Sequence, residues 1–184
     1  MNKRMGKYPE GWMSRHELAW LAAHGAGARK IAEVGVWMGR STVALLSRCP
    51  ESALYAVDTW AGVQGDALQS PLYADPQAAY KAFLRNLAGP IDRGQVRVMR
   101  MTSMEAAAQL RAEHGQDFDL VFLDADHSYE AVHADILAYR GLVKPGGILS
   151  GHDYAEKWEG VRRAVDELLP GRTLGPVSLW SVVL

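Results

Sequence analysis

Short apolar runs alternate with amphipathic stretches along most of the chain, and the spacing predicts where strands and helices fall. Ser14-Arg15-His16-Glu17 has the form of a capping box, and Leu18, Leu21 and Ala22 extend it into an amphipathic helix ending near Gly25 or Gly27. Lys30–Val34, Ala53–Val57, Gln95–Met99, Leu120–Leu123 and Ile148–Ser150 read as buried strands, too short for helices and bounded by polar or turn residues. Helices are predicted between them: Arg40 to about Ser47, Gln77 to Leu87, Thr102 to about Glu113, and Ser128 to Tyr139. Tyr80, Phe83, Leu84 and Leu87 form the apolar face of the second of these, and Thr102-Ser103-Met104-Glu105 is a second capping box. Lys144-Pro145-Gly146-Gly147 reads as a turn into the fifth strand. A helix from Trp158 to Leu169 follows, and Arg172–Leu174 and Ser178–Val183 close the chain as two more strands.

Strands alternating with helices imply an α/β fold, a mostly parallel sheet covered on both faces. The last two strands are too close for a crossover helix, so they pair antiparallel. The expected architecture is therefore a seven-stranded, Rossmann-like sheet with an antiparallel end. At 184 residues the chain suits one well-buried domain, here 14–184, preceded by a mobile arm over 1–13. Ala61–Pro76 contains two prolines and two further glycines and reads as one long loop. Hydrophobic content of 48% with 22% charged residues is that of a soluble globular protein. A formal net charge of −1 offers no general attraction to nucleic acid or an anionic membrane. The basic start, Met1–Lys7, is not followed by a signal-type apolar core, and no run reaches transmembrane length, so a cytoplasmic protein is expected. The single cysteine, Cys49, excludes a disulfide framework or a cysteine zinc cluster and reads as a structural thiol.

Candidate chemistry gathers where the strands end. Ile31–Thr42 carries an apolar run into Glu33-x-Gly35-x-x-x-Gly39 and directly into a helix start. Glycines there permit positive φ and close approach of a ligand, and the helix amides favour an anionic or carboxylate group. Asp58 ends the second strand, Ser103 follows the third, Asp124 and His127 follow the fourth, and His152 and Asp153 follow the fifth. Ligands of open α/β sheets bind at such strand ends. Asp126 reads more simply as the N-cap of the helix after it. A carboxylate at Asp58 can accept hydrogen bonds from a ribose diol, while bulky Trp37 within the glycine turn argues against a dinucleotide pyrophosphate.

These segments together resemble class I S-adenosylmethionine-dependent methyltransferases. The likeness lies in Glu33-x-Gly35-x-x-x-Gly39-x-Ser41-Thr42, Val57-Asp58-Thr59-Trp60, Phe122-Leu123-Asp124-Ala125-Asp126-His127, and Lys144-Pro145-Gly146-Gly147 followed by His152-Asp153. The subgroup most similar is the small bacterial O-methyltransferases related to sugar, antibiotic and catechol enzymes. The resemblance implies that Gly35 and Gly39 pass the methionine moiety, Glu33 approaches its amino group, and Ser41 and Thr42 hold its carboxylate. Asp58 would bind the ribose hydroxyls beside Thr59 and Trp60, and Thr102, Ser103 and Met104 would frame the adenine.

Three readings of the reacting end compete. By resemblance to metal-dependent relatives, Asp124, His152 and Asp153 hold a divalent ion, magnesium or, given the histidine, manganese. Alternatively His127, standing where those relatives carry a lysine base, acts without metal, assisted by His152 or Asp153. In the third reading the histidines only shape the pocket. Trp12, Trp60 and Trp158 fall near the expected crevice, as an acceptor surface or as a water-excluding lid, and Trp20 and Trp180 read as core. The expected partner is a small hydroxylated acceptor, the alternatives being methylation of a nitrogen or of a macromolecule, or a non-catalytic cofactor-binding module, with a homodimer expected from other small members of the fold.

Overall fold

The computed structural model describes residues 8–61 and 75–184. Its elements run α1 (Arg15–His24), β1 (Lys30–Val34), α2 (Arg40–Arg48), β2 (Ala53–Asp58), α3 (Pro76–Asn86), α4 (Ala88–Asp92) and β3 (Val96–Arg100). They continue with α5 (Ser103–His114), β4 (Phe118–Leu123), α6 (Tyr129–Arg140), β5 (Val143–Gly151), α7 (Glu159–Leu168), β6 (Thr173–Leu174) and β7 (Trp180–Val183). The strands form one seven-stranded sheet in the order β3-β2-β1-β4-β5-β7-β6. β1 to β5 are parallel, and β7 pairs antiparallel with both β5 and β6. The order reverses between β1 and β4, which opens a crevice at their carboxyl ends.

Alternation along each strand feeds two cores, one on each face. On β1, Ala32 and Val34 join Leu110, Ile136, Tyr139 and Val165 of α5, α6 and α7. Ile31 joins Leu18, Leu21, Leu45 and Phe83 of α1, α2 and α3 on the opposite face. Both capping boxes form, at Ser14–Glu17 and Thr102–Glu105. Trp180 is fully buried, as expected of a core residue; Trp20 is partly buried and stacks on His24. Cys49 is buried, and its thiol donates to the Gly25 carbonyl at 2.8 Å.

Several local expectations need correction. The expected turn at Lys144-Pro145-Gly146-Gly147 is an irregular stretch inside β5, where the register against β4 jumps from Phe118↔Val143 to Leu120↔Ile148. Gly146 absorbs the jump at φ +78°. α4, a single turn of five residues, follows directly on the helix expected to end at Leu87 and was not expected. Asp126 is not the N-cap of α6: Ser128 caps the helix, and Asp126 accepts from the Ser128 amide at 2.7 Å. Residues 8–13 of the expected arm lie against α2, with Met13 buried and the Arg40 guanidinium donating to the Met13 and Pro9 carbonyls at 2.8 and 2.7 Å. Residues 1–7, and 62–74 of the expected long loop, lie outside the described residues. Among the described residues no helix is long and apolar enough to cross a membrane.

Candidate active site

A cavity of about 590 Å³ opens at the carboxyl ends of β1, β2, β4 and β5 and extends to the residues after β3. The glycine turn forms its floor. Gly35 sits at φ +85° and donates its amide to the Val57 carbonyl at 2.9 Å. A side chain there would run into the main-chain carbonyl of Asp124, so only glycine lets β1 and β4 close around this point. Gly39, at φ +84°, is the N-cap of α2, whose first turn has no acidic side chain to occupy its amides.

Asp58 ties the turn together. Its carboxylate accepts from the Trp37 amide at 2.9 Å and from the Trp60 amide at 2.7 Å, both residues having left-handed backbone near φ +50°. The Trp60 indole in turn donates to the Trp37 carbonyl at 2.8 Å. Burial pushes the Asp58 carboxyl above the ordinary carboxylate range against the pull of these amides.

Most of the expected cofactor residues meet at this cavity: Gly35, Ser41, Asp58, Thr59, Trp60, Thr102, Ser103 and Asp124 all line it. Glu33, Gly39, Thr42 and Met104 do not. Glu33 and Thr42 are fully buried behind the turn, and burial raises the Glu33 carboxyl to about 7, the nearby Ser41 and Thr42 hydroxyls opposing it only in part. Met104 is half exposed on the outer side of α5. Of the tryptophans, Trp12, Trp37, Trp60 and Trp158 line the cavity.

The reacting end is a chain of acids and imidazoles. His127 Nε2 lies 2.8 Å from Asp153 Oδ2, and His152 Nδ1 lies 3.3 Å from that same oxygen and 3.4 Å from Asp124 Oδ1. The other ring nitrogen of His152 is 2.9 Å from Glu17 Oε1, on α1. Burial disfavours a charged His152, but Asp124, Asp153 and Glu17 prevail and raise it to about 12. For Glu17, burial is likewise overcome by His152 and Ser14, which hold it at about 2. Burial wins at Asp124, which is raised, whereas His127 and His152 overcome it at Asp153, which is lowered. His127 also stacks on Trp158, with centroids 3.9 Å apart, and the Lys157 ammonium lies 4.3 Å over that indole.

One ligand atom each from Asp124, His152 and Asp153 falls within 4.8 Å of the others, a spacing that fits a metal ion. Glu17 on Nε2 is the kind of carboxylate partner that metal-binding imidazoles use to orient their ligating nitrogen. Sequence reasoning missed Glu17 because the capping box already accounted for it. Its one further signal was spacing: Glu17 shares a helix face with Leu21, four residues on, so its carboxylate faces the core side. Asp135 was also missed; it lies in the buried stripe of α6 with Val132, Ile136 and Tyr139 and reaches the same cavity.

A family model described as a methyltransferase domain matches residues 32–154. A search of curated proteins finds no match. Among solved structures, an O-methyltransferase from Bacillus cereus in complex with SAH superposes with a TM-score of 0.66 at 18% identity, over 96% of this chain and 84% of that one. TomG, an O-methyltransferase of Streptomyces achromogenes involved in tomaymycin synthesis and solved with SAM, gives 0.66 at 16% identity, over 94% and 81%. The calicheamicin methyltransferase CalS11 gives 0.66 at 18% identity, over 92% and 80%. At these identities the likeness establishes the shared fold.

Proposed function

The chain belongs to the methyltransferase-domain family, and from that premise we propose that it transfers a methyl group from S-adenosylmethionine to a hydroxyl of a small acceptor. One observation carries the reading: the glycine turn with Asp58, and the His127–Asp153 pair, open into the same cavity. Solved structures of the same fold with SAH and SAM bound support the choice of donor.

S-adenosylmethionine supplies an electrophilic methyl on a sulfonium. The turn from Gly35 to Gly39, with Ser41, receives its amino-acid end, and Asp58 accepts from the ribose hydroxyls beside Thr59 and Trp60. Thr102 and Ser103 border the base. On the acceptor side, His127, whose Nε2 lies 2.8 Å from Asp153 Oδ2, is the base that takes the proton from the acceptor hydroxyl. Asp153 orients the ring and stabilises the imidazolium as it forms. Trp12, Trp60 and Trp158 exclude water from the reacting centre.

A second reading, with a divalent ion, is favoured by the mutual spacing of Asp124, His152 and Asp153. Those three residues would hold it, and it would polarise the acceptor oxygen as a Lewis acid. The mixed nitrogen and oxygen donors suit manganese better than magnesium.

Calorimetry with SAH tests the donor, and SAH release over a panel of hydroxylated aromatics and sugars tests turnover. Asp58→Ala is expected to weaken SAH binding by about tenfold or more, from the loss of charge-assisted hydrogen bonds. His127→Gln is expected to leave SAH binding unchanged and lower turnover by about a hundredfold. Absence of SAH binding to the unaltered protein refutes the reading. Turnover undiminished in chelator removes the metal alternative.

A further inference from the structure

The two capping boxes of the chain share a chemistry but not a setting. Glu105 completes the box of α5 and is exposed, as a residue at the end of a surface helix can be. Glu17 completes the box of α1 and is only 3% exposed, on a helix anchored by the fully buried Leu18 and Leu21. A cap does not require that burial, and a buried carboxylate is costly unless it is paired. The two oxygens of Glu17 divide the work. Oε2 accepts from the Ser14 amide at 2.7 Å and serves the cap, while Oε1 lies 2.9 Å from His152 Nε2 and accepts from the Ser178 hydroxyl at 3.4 Å. Glu17 is not among the cavity-lining residues, and it precedes the matched methyltransferase segment, which begins at residue 32. Whatever it does at the site, it does through His152.

The backbone of His152 is fixed on both sides: its amide donates to the Leu123 carbonyl at 3.1 Å, and its carbonyl accepts from the Trp180 indole at 3.2 Å. Those bonds place the Cα and leave the ring free to turn. Glu17 holds the ring, and with Nε2 on Glu17 the other nitrogen comes within 3.3 Å of Asp153 Oδ2. That same oxygen pairs with His127 Nε2 at 2.8 Å. Asp153 has left-handed backbone, φ +60°, which a non-glycine residue keeps only where its surroundings hold it. We propose that Glu17 is a positioning residue for methyl transfer: acting through His152, it sets the Asp153 carboxylate against His127 and so aims the base at the acceptor. The inference rests on the role given to His127 above and adds the residue that places it.

Loss of the grip on Nε2 lets the imidazole of His152 turn, and Asp153 then loses one of the two rings that fix its oxygen. A base displaced by a fraction of an ångström keeps its chemistry but loses its alignment with the acceptor hydroxyl. The glycine turn and Asp58 lie on other elements, so the donor site is left in place.

The test compares Glu17→Gln, which keeps the shape and removes the carboxylate, with Ser14→Ala, which weakens the same cap and leaves Glu17 on His152. Turnover is followed as SAH release with an accepted hydroxylated compound, and SAH binding by calorimetry. Glu17→Gln is expected to lower kcat by about tenfold, with KM for the acceptor and SAH affinity within about twofold of the unaltered protein. Ser14→Ala should leave kcat unchanged. The second readout needs no acceptor: with 15N-labelled histidine in the SAH complex, the ring nitrogens of His127 should shift in Glu17→Gln and stay in place in Ser14→Ala, although neither residue touches His127. An undiminished kcat in Glu17→Gln, an equal loss in Ser14→Ala, or unmoved His127 resonances overturns the assignment and leaves the methyl-transfer reading standing. Should the unaltered protein turn over no acceptor, that reading falls, and the His127 resonances alone decide whether Glu17 places the ring.

Discussion

The three carboxylates around His152 make stability depend on pH in a way that one substitution should abolish. An unfolded histidine titrates near 6.5, and this one is raised to about 12 in the folded chain, burial being overcome by Asp124, Asp153 and Glu17. Below pH 6.5 the ring is protonated folded or unfolded, and its stabilising contribution is fully present. As pH rises above 6.5, the unfolded chain gives up the proton and the folded one keeps it. Stability then falls by at most about 1.4 kcal/mol per pH unit, until the folded value is reached. Between pH 7 and 8.5 this one side chain should account for about 2 kcal/mol. Glu33, raised by burial to about 7, adds only about 0.4 kcal/mol over that window, and the Cys49 thiol, also raised by burial, begins to lose its contribution only as the pH nears the unfolded thiol value of about 8.5. Urea unfolding, followed by tryptophan fluorescence in chelator-treated buffer at the two pH values, measures the difference directly. His152→Asn should be less stable at pH 7 and nearly flat between pH 7 and 8.5. A wild-type curve flat to within about 0.5 kcal/mol, or an equal slope in the variant, would refute the charged-imidazole argument.

The remaining expectations concern single positions. Gly35→Ala combines a positive φ with a collision against the Asp124 carbonyl, and should cost about 3 kcal/mol in urea unfolding; a loss under 1 kcal/mol would mean that β1 and β4 separate easily. Glu17→Ala removes a helix-cap partner and a buried counter-ion together and should cost about 3 kcal/mol, while Glu17→Gln, which keeps hydrogen-bonding capacity, should cost about 1; equal losses would contradict a role for its charge. Cys49 should react with a thiol reagent only as the protein unfolds, because the sulfur is buried, hydrogen-bonded and raised by burial; stoichiometric labelling of the native protein would contradict this.

The strands could be read from sequence because each is a short apolar run, and nothing else in the chain imitates Leu120–Leu123 or Ala53–Val57. Their chemistry was readable for the same reason: once the strand ends are located, Asp58, Asp124, His152 and Asp153 fall at the crevice by topology alone. What escaped depends on contacts between distant segments. Glu17 looks like a cap in its own helix, and nothing local reveals that His152, on the far side of the chain, meets the same carboxylate. Asp135 in the apolar stripe of α6 resembles an exception to a pattern until Ser103 is found opposite. The bulge in β5 was hidden because Pro145 and Gly146 have the chemistry of a turn, and only pairing with β4 and β7 on both sides keeps that stretch within the sheet. The N-cap of α6 went to Ser128 over Asp126 because the acid was taken by the Ser128 amide.

Arg40 has a consequence for how such a protein can change. Its guanidinium holds residues 8–13 through the carbonyls of Pro9 and Met13, and the segment so held supplies Gly11, Trp12 and Met13 to the cavity wall. The grip uses carbonyls, but it also constrains two positions: the guanidinium lies over the Tyr8 ring, and a Cβ at Gly11 would run into the Arg40 side chain. Trp12, half exposed beside them, is the position where substitution can remodel that wall while the strap stays in place and the glycine turn, on a different part of the chain, is left untouched. Innovation in what the protein accepts is separated, along the chain, from preservation of what it donates.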